Sequence, residues 1–256
     1  MTSSRPVPVR TPATGGDRAS FGCRICAWLC DRFCSDEGQG SASFWEALED
    51  WEREHSNESE LWSEDSHRSR ELAIQASDLS KTDREAAFQL FLEAAEAGSV
   101  WSMEMVGWNY DTGTVVAADF VQAQQYYCRA ICAGSGTATI RYAKLLERHG
   151  HHETWEALLE DGVRSDFVPA YFWLAWFRCK RLRNRKTFRE ARPLLEYAAG
   201  KGHPGARYVL AGWMLVGRFG LREIPKGFRL FRESVEQYDK ESERGVVEEP
   251  EKRLAA

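Results

Sequence analysis

An internal period of about 35 residues constrains this chain more than any other feature, because a period of that size marks stacked helical hairpins. A small residue, an apolar one four positions later and a second small one directly after it recur four times. They are Ser102/Val106/Gly107, Ala138/Tyr142/Ala143, Ala170/Leu174/Ala175 and Ala206/Leu210/Ala211, at separations of 36, 32 and 36 residues. A second pattern, small–x–x–apolar–apolar–x–x–small, reads Ala87/Leu90/Phe91/Ala94, Ala123/Tyr126/Tyr127/Ala130, Ala191/Leu194/Leu195/Ala198 and Gly227/Leu230/Phe231/Ser234. Spacings of three and four are helical, and small side chains let two helices approach closely. Each period therefore holds two helices. Gly98, Gly134, Gly162 and Gly202 stand where a left-handed residue would end the second of them. One such pair cannot bury its apolar face alone, so the pairs must stack. No run alternates apolar and polar residues with period two, so the expectation is an all-α chain with almost no strand.

The repeats occupy residues 67–239. Residues 1–40 divide into a Pro-, Gly-, Ser- and Thr-rich stretch that reads as a disordered N-terminal tail and a segment with Cys23, Cys26, Cys30 and Cys34. Residues 41–66 form an acidic segment; 36–65 carry eleven acidic side chains against one Arg. Within it Phe44, Leu48 and Trp51 fall at i, i+4 and i+7, the spacing of a short amphipathic helix. Residues 240–256 alternate Glu, Lys and Arg and read as a charged tail. The net charge of −5 supplies no global field for nucleic acid or membrane. No stretch reaches the roughly 20 apolar residues of a membrane span, and the N-terminus lacks the apolar run of a secretory signal. Seven Cys, an odd number with four crowded together, argue against a disulfide framework and for a reducing, cytoplasmic setting.

The best-formed unit carries a resemblance. Gly107-x-x-Tyr110-x-x-Gly113-x-x-Val116-x-x-Asp119, followed by Ala123, Tyr126, Tyr127 and Ala130, resembles the Sel-one-like repeat, a relative of the tetratricopeptide repeat with a longer loop inside the hairpin. The last unit is similar through Gly217, Glu223 and Gly227; the second departs from the pattern in a shortened hairpin around His149–Glu153. The resemblance implies a right-handed α-solenoid of antiparallel helix hairpins and a scaffold or adaptor activity. Some secreted relatives carry a regular Cys pair in each repeat, which this chain lacks.

Opposite the packed slots of each first helix lie Trp101, Glu104, Trp108 and Asp111, then Lys144 and Arg148, then Phe172, Trp176 and Lys180, then Tyr208. In repeat solenoids this face lines the concave groove. Its aromatics suit a protein or peptide partner, because Trp and Tyr dominate interface energies; neighbouring repeats or the chain's own N-terminal helix could equally cover them. Arg178–Lys186, extended by Arg189 and Arg192, is the strongest positive run. It reads as a solvated loop, an acidic-partner site, or a seat for the acidic segment 36–65. No nucleic-acid signature accompanies it.

Cys23, Cys26, Cys30 and Cys34 share one helical face with Ile25, Trp28, Leu29 and Phe33 nearby. Three readings stand: no special role, membrane contact through acylation, or zinc. His149, His151 and His152 read as a polar loop. No phosphate loop, nucleophile elbow or H-E-x-x-H occurs, so neither cofactor nor metal is expected. The sequence thus points to a non-enzymatic groove-binding scaffold. The alternative is a regulatory or anchoring protein tethered through the Cys segment; a cell-wall-related hydrolase, suggested for some relatives, ranks last. Oligomeric state is not legible.

Overall fold

Where one helix stops and the next begins is set by a short backbone device repeated once per period. The computed structural model describes residues 42–245, with side chains over 48–234. The Cys23–Cys34 segment, Phe44's side chain and the chain beyond 245 lie outside the described residues. The helices are α1 (Ala42–Glu54), α2 (Glu58–Glu64), α3 (His67–Leu79), α4 (Arg84–Glu96), α5 (Val100–Thr112), α6 (Phe120–Cys132), α7 (Gly136–Arg148), α8 (His152–Arg164), α9 (Val168–Leu182), α10 (Arg185–Gly200), α11 (Pro204–Leu215) and, after a 3-10 turn, α12 (Ile224–Gly245). There is no strand among the described residues. α12 runs past residue 239 into the charged segment read as a tail; Glu and Lys propagate a helix well.

The hairpins are α3–α4, α5–α6, α7–α8, α9–α10 and α11–α12, and each second helix also packs on the next first helix. First helices of neighbouring hairpins touch as well, α5 with α7 and α7 with α9. They therefore lie on the tighter, inner side of the stack. The chain is an α-solenoid whose first helices line its concave face.

The device is a six-residue closure. The amides of Ser99, Ser135, Phe167 and His203 donate to the carbonyls of Ala94, Ala130, Gly162 and Ala198 at 2.9–3.0 Å. The residue before each donor is left-handed: Gly98 (φ 101°), Gly134 (97°), Asp166 (58°) and Gly202 (95°). Three of the four glycines expected as helix ends hold that role. Gly162 does not, because it lies inside α8, where an added Cβ would come 2.7 Å from Ala170 Cβ. It is a close-contact slot between helices, and Asp166 takes the left-handed position instead. Asp is among the few non-glycine residues that tolerate it, and here Tyr171 and Tyr197 hydroxyls donate to Asp166 Oδ1 at 3.2 and 2.5 Å. Those phenols, Tyr197 first, hold the Asp166 carboxyl below its ordinary range. Asp166→Ala should lose about 1 kcal/mol more stability than Asp166→Gly, the cost of a Cβ in left-handed backbone; urea melts of the two variants measure the difference.

The donors then begin the next helix. Ser99, Ser135 and His203 side chains accept from the amides of Ser102, Ala138 and Ala206. Phe167 fills the same place without a side-chain cap, with Pro169 in the first turn. The shortened α7–α8 hairpin closes over residues 149–151 around Gly150 (φ 76°), with His149 and His151 against the Phe120 ring at 4.7 and 5.2 Å.

Candidate functional site: the concave groove

The acidic N-terminal segment does not trail away from the solenoid; it runs across the concave face. Leu48, Trp51 and Glu52 are buried there, Leu48 to 1 % exposure. Leu48 packs where α11 begins, its Cδ1 lying 3.2 Å from where a Cβ on Gly205 would stand, so that glycine leaves room for it. Trp51 meets His203 edge-on at 4.9 Å. The Glu52 carboxylate accepts from the Trp173 indole at 2.6 Å and faces His203 Nε2 at 3.4 Å. Because His203 Nδ1 accepts the Ala206 amide, its ring proton belongs on Nε2, pointing at Glu52. Glu49 lies 3.7 Å from Lys144, whose ammonium sits over the Trp173 ring at 4.3 Å. Beside this contact a cleft between α1 and α7 is lined by Glu49, Glu52 and Arg53 on one side and by Thr137, Ile140, Arg141 and Lys144 on the other, with Phe167.

The segment continues along the same face through α2. Asn57 donates to the Gly134 carbonyl at 2.9 Å and accepts the Gly136 amide at 3.3 Å. Thr137 donates to Glu58 at 2.5 Å, and Trp62 meets Trp101 edge-on at 6.0 Å. α1 and α2 together form an arm that crosses from α11 back to α5.

The residues expected on the groove face are accordingly engaged to different degrees. Trp101 is wedged between Trp62 and Phe91. Glu104 and Phe172 are not on an accessible face at all. Phe172 is fully buried, 4.6 Å from the His203 ring and 3.1 Å from the Cβ position of Gly205. Glu104 is 2 % exposed and takes the Ser135 hydroxyl. Burial pushes its carboxyl up to about 7; the Ser135 hydrogen bond pulls the other way and the nearby Glu58 charge adds to the rise. Asp111 is largely covered by its ion pair with Arg148 and by the Tyr127 hydroxyl at 3.4 Å. Lys180 pairs with Glu147 at 3.2 Å. Tyr208 tilts against Phe231 of α12 at 5.4 Å. Trp108 remains half-buried, and Trp176 stacks parallel on Trp213 at 6.5 Å.

Part of the basic run finds its counter-charges within the stack, while Arg183, Arg185 and Lys186 are exposed. Arg178 pairs with Glu156 at 2.6 Å and with Glu160, Arg181 with Glu156 at 3.3 Å, and Arg192 with Glu196 and Glu223 at 2.9 and 3.3 Å. Of the arm's acidic residues, Glu49 meets Lys144, Glu52 meets Trp173 and His203, and Glu58 meets Thr137, all outside Arg178–Lys186.

Trp173 and His203 are the groove residues that helix offsets missed. His203 had one available signal, since it follows Gly202 where Ser99 and Ser135 follow Gly98 and Gly134. A histidine in a serine's capping place keeps a second ring nitrogen free for another task.

No family model matches the chain, and no curated protein matches it. Solved structures do. A Sel1 repeat protein from Oxalobacter formigenes superposes with a TM-score of 0.52 at 18% identity, over 64% of this chain and 72% of that one. A protective antigen of uropathogenic Escherichia coli displaying an SLR fold gives 0.52 at 18%, over 66% of this chain and 38% of that longer one. The architecture is that of a helical-hairpin solenoid, and its fold is the Sel1-like repeat fold.

Proposed function

We propose that the chain is a non-enzymatic scaffold or adaptor that binds a protein partner in the concave groove of its solenoid. The observation carrying this reading is that the groove already seats a helix, through apolar insertion, aromatic edges and charge pairing. A surface that accommodates one amphipathic helix has the shape and chemistry for helix-in-groove recognition. Trp108 and Trp176 are the anchors assigned to the partner, with Trp101, Glu104, Asp111, Lys144, Arg148, Phe172, Lys180 and Tyr208 shaping or supporting the wall. Cys179 and Cys128 favour no catalytic role: burial pushes Cys179 up to about 12 and raises Cys128, the opposite of what a nucleophile needs. All three described cysteines are unpaired, which suits a reducing cytoplasm. Analogy of fold adds a prior toward scaffolding and no more.

Quantitative affinity purification of the full chain against its Trp108→Ala, Trp176→Ala double variant tests this. The reading expects a set of proteins lost from the double variant while its circular dichroism stays helical and its unfolding stays cooperative. An unchanged set would move binding to another face.

A further inference from the structure

We propose that the groove is a receptor for acidic amphipathic helices of a partner protein, and that the arm is an internal competitor holding the same seat. The proposal rests on the groove-binding reading and adds the chemistry of what is bound.

The seat has four contacts spaced as one face of a helix. Leu48 fills the space left by Gly205, Glu49 meets Lys144, Trp51 meets the His203 ring, and Glu52 enters a socket of two N–H donors, Trp173 Nε1 and His203 Nε2. These positions are i, i+1, i+3 and i+4. The socket is selective for a carboxylate, because both donors lie in a buried aromatic setting. Trp173 and His203 are themselves almost fully buried. Both donors reach one oxygen, Glu52 Oε1, which an amide oxygen could also supply, so the preference for a carboxylate comes from its charge, which strengthens each hydrogen bond in this dry setting. Arg141 and Lys144 on α7 add positive charge beside it. The groove therefore reads apolar, acidic, any, aromatic, acidic along a helix.

The arm is built to be displaced. Its α1 part meets the solenoid through a single helical face, while the Asn57 turn and the α2 contacts at Thr137 and Trp101 hold it close by. Its advantage over a free ligand is tethering, which gives an effective concentration in the mM range for a short connection. A partner helix with the same four groups and a better fit elsewhere competes directly. A seated arm also keeps the Trp173 and His203 donors satisfied when no partner is present.

The test uses a labelled synthetic helix that shares with the arm only leucine, glutamate, tryptophan and glutamate at the spacing of Leu48, Glu49, Trp51 and Glu52. Fluorescence anisotropy follows its binding to the full chain and to the full-length Leu48→Asp variant, whose arm is unseated. Binding should be at least about tenfold tighter to Leu48→Asp than to the parent. It should weaken about tenfold when the peptide's second glutamate becomes glutamine, a change worth one charged hydrogen bond. Adding Trp173→Phe to Leu48→Asp should remove that glutamate preference while circular dichroism stays helical. Equal binding of the glutamate and glutamine peptides would overturn the carboxylate socket and leave the groove reading standing. No binding of either peptide to a folded Leu48→Asp chain would overturn both. Parent dimers that dissociate on adding the peptide would show that the occupant is the arm of a second copy, and would overturn the partner assignment.

Discussion

Gly107→Leu is expected to destabilise the protein by about 3 kcal/mol or more, while the neighbouring Trp108→Ala costs about 1 kcal/mol. The asymmetry reverses the usual ranking, in which losing a tryptophan is the worse event. It follows from which side of α5 each residue occupies. A Cβ on Gly107 would lie 2.8 Å from Tyr127 Cδ1 and 2.9 Å from Cε1, closer than real contacts allow. Tyr127 cannot yield, because its ring is fully buried and its hydroxyl is tied to Asp111. The strain therefore passes to the α5–α6 spacing, and with it to the best-formed hairpin of the stack. Trp108 is half-buried, and its removal leaves an indentation that water can fill. At about 2–4 °C per kcal/mol for a chain of this size, thermal melts separate the two variants clearly. Equal shifts would mean that the faces of α5 are wrongly assigned.

Glu104→Gln is expected to stabilise the protein at pH 8 and to change little at pH 5. Desolvation raises the folded-state Glu104 carboxyl to about 7 from an unfolded value of 4.5. Below 4.5 both states hold the proton and the residue contributes no penalty. As pH rises through 4.5 to 7 the unfolded chain gives up its proton first, so stability falls across that window and stays low above it. The full effect is about 3 kcal/mol, from 1.36 kcal/mol per pH unit. Glutamine keeps an acceptor for the Ser135 hydroxyl and never ionises, so it escapes the loss. The consequence reaches the arm, because Glu58 on α2 is the like charge that adds to the rise. Chemical denaturation of parent and variant from pH 5 to 8 reads the effect; parallel curves would show that Glu104 is solvated and that α2 does not cover it.

The periodic part of this architecture is legible because it is written in sterics. Small residues at helix contacts and glycines at left-handed turns have few substitutes, so Gly107, Gly98, Gly134 and Gly202 announce their roles. Gly162 misled for an instructive reason: one glycine can serve either demand, and here Asp166 supplies the left-handed turn. The spacing of Leu48 and Trp51 likewise gave a helix with one buried face before any contact was visible.

The groove was less legible. Projecting a helix face from its packed slots treats the opposite face as open. A first helix in this stack touches its own second helix, the previous second helix, the next first helix and the arm. α5 is consequently buried nearly all round, with Val100, Ser102, Met103, Glu104, Val106, Gly107 and Asn109 all covered. Glu104 and Phe172 are buried by elements far away in sequence: Ser135 for the one, His203 and Gly205 for the other. Periodicity carries no signal for such contacts. The Glu52 socket was illegible for the same reason, since its donors come 121 and 151 residues after the carboxylate.

Hydrogen exchange of the full chain against its Leu48→Asp variant tests most directly whether the concave face seats its own helix. Unseating the arm should speed exchange in α1 itself and in the capped first turn of α11 from His203 to Arg207, where Leu48, Trp51 and Glu52 pack. Exchange should stay unchanged on the second helices α6, α8 and α10, which stand on the outer side of the stack. Identical exchange over His203–Arg207 in the two proteins would contradict the account, because the arm would then not be lying in the groove.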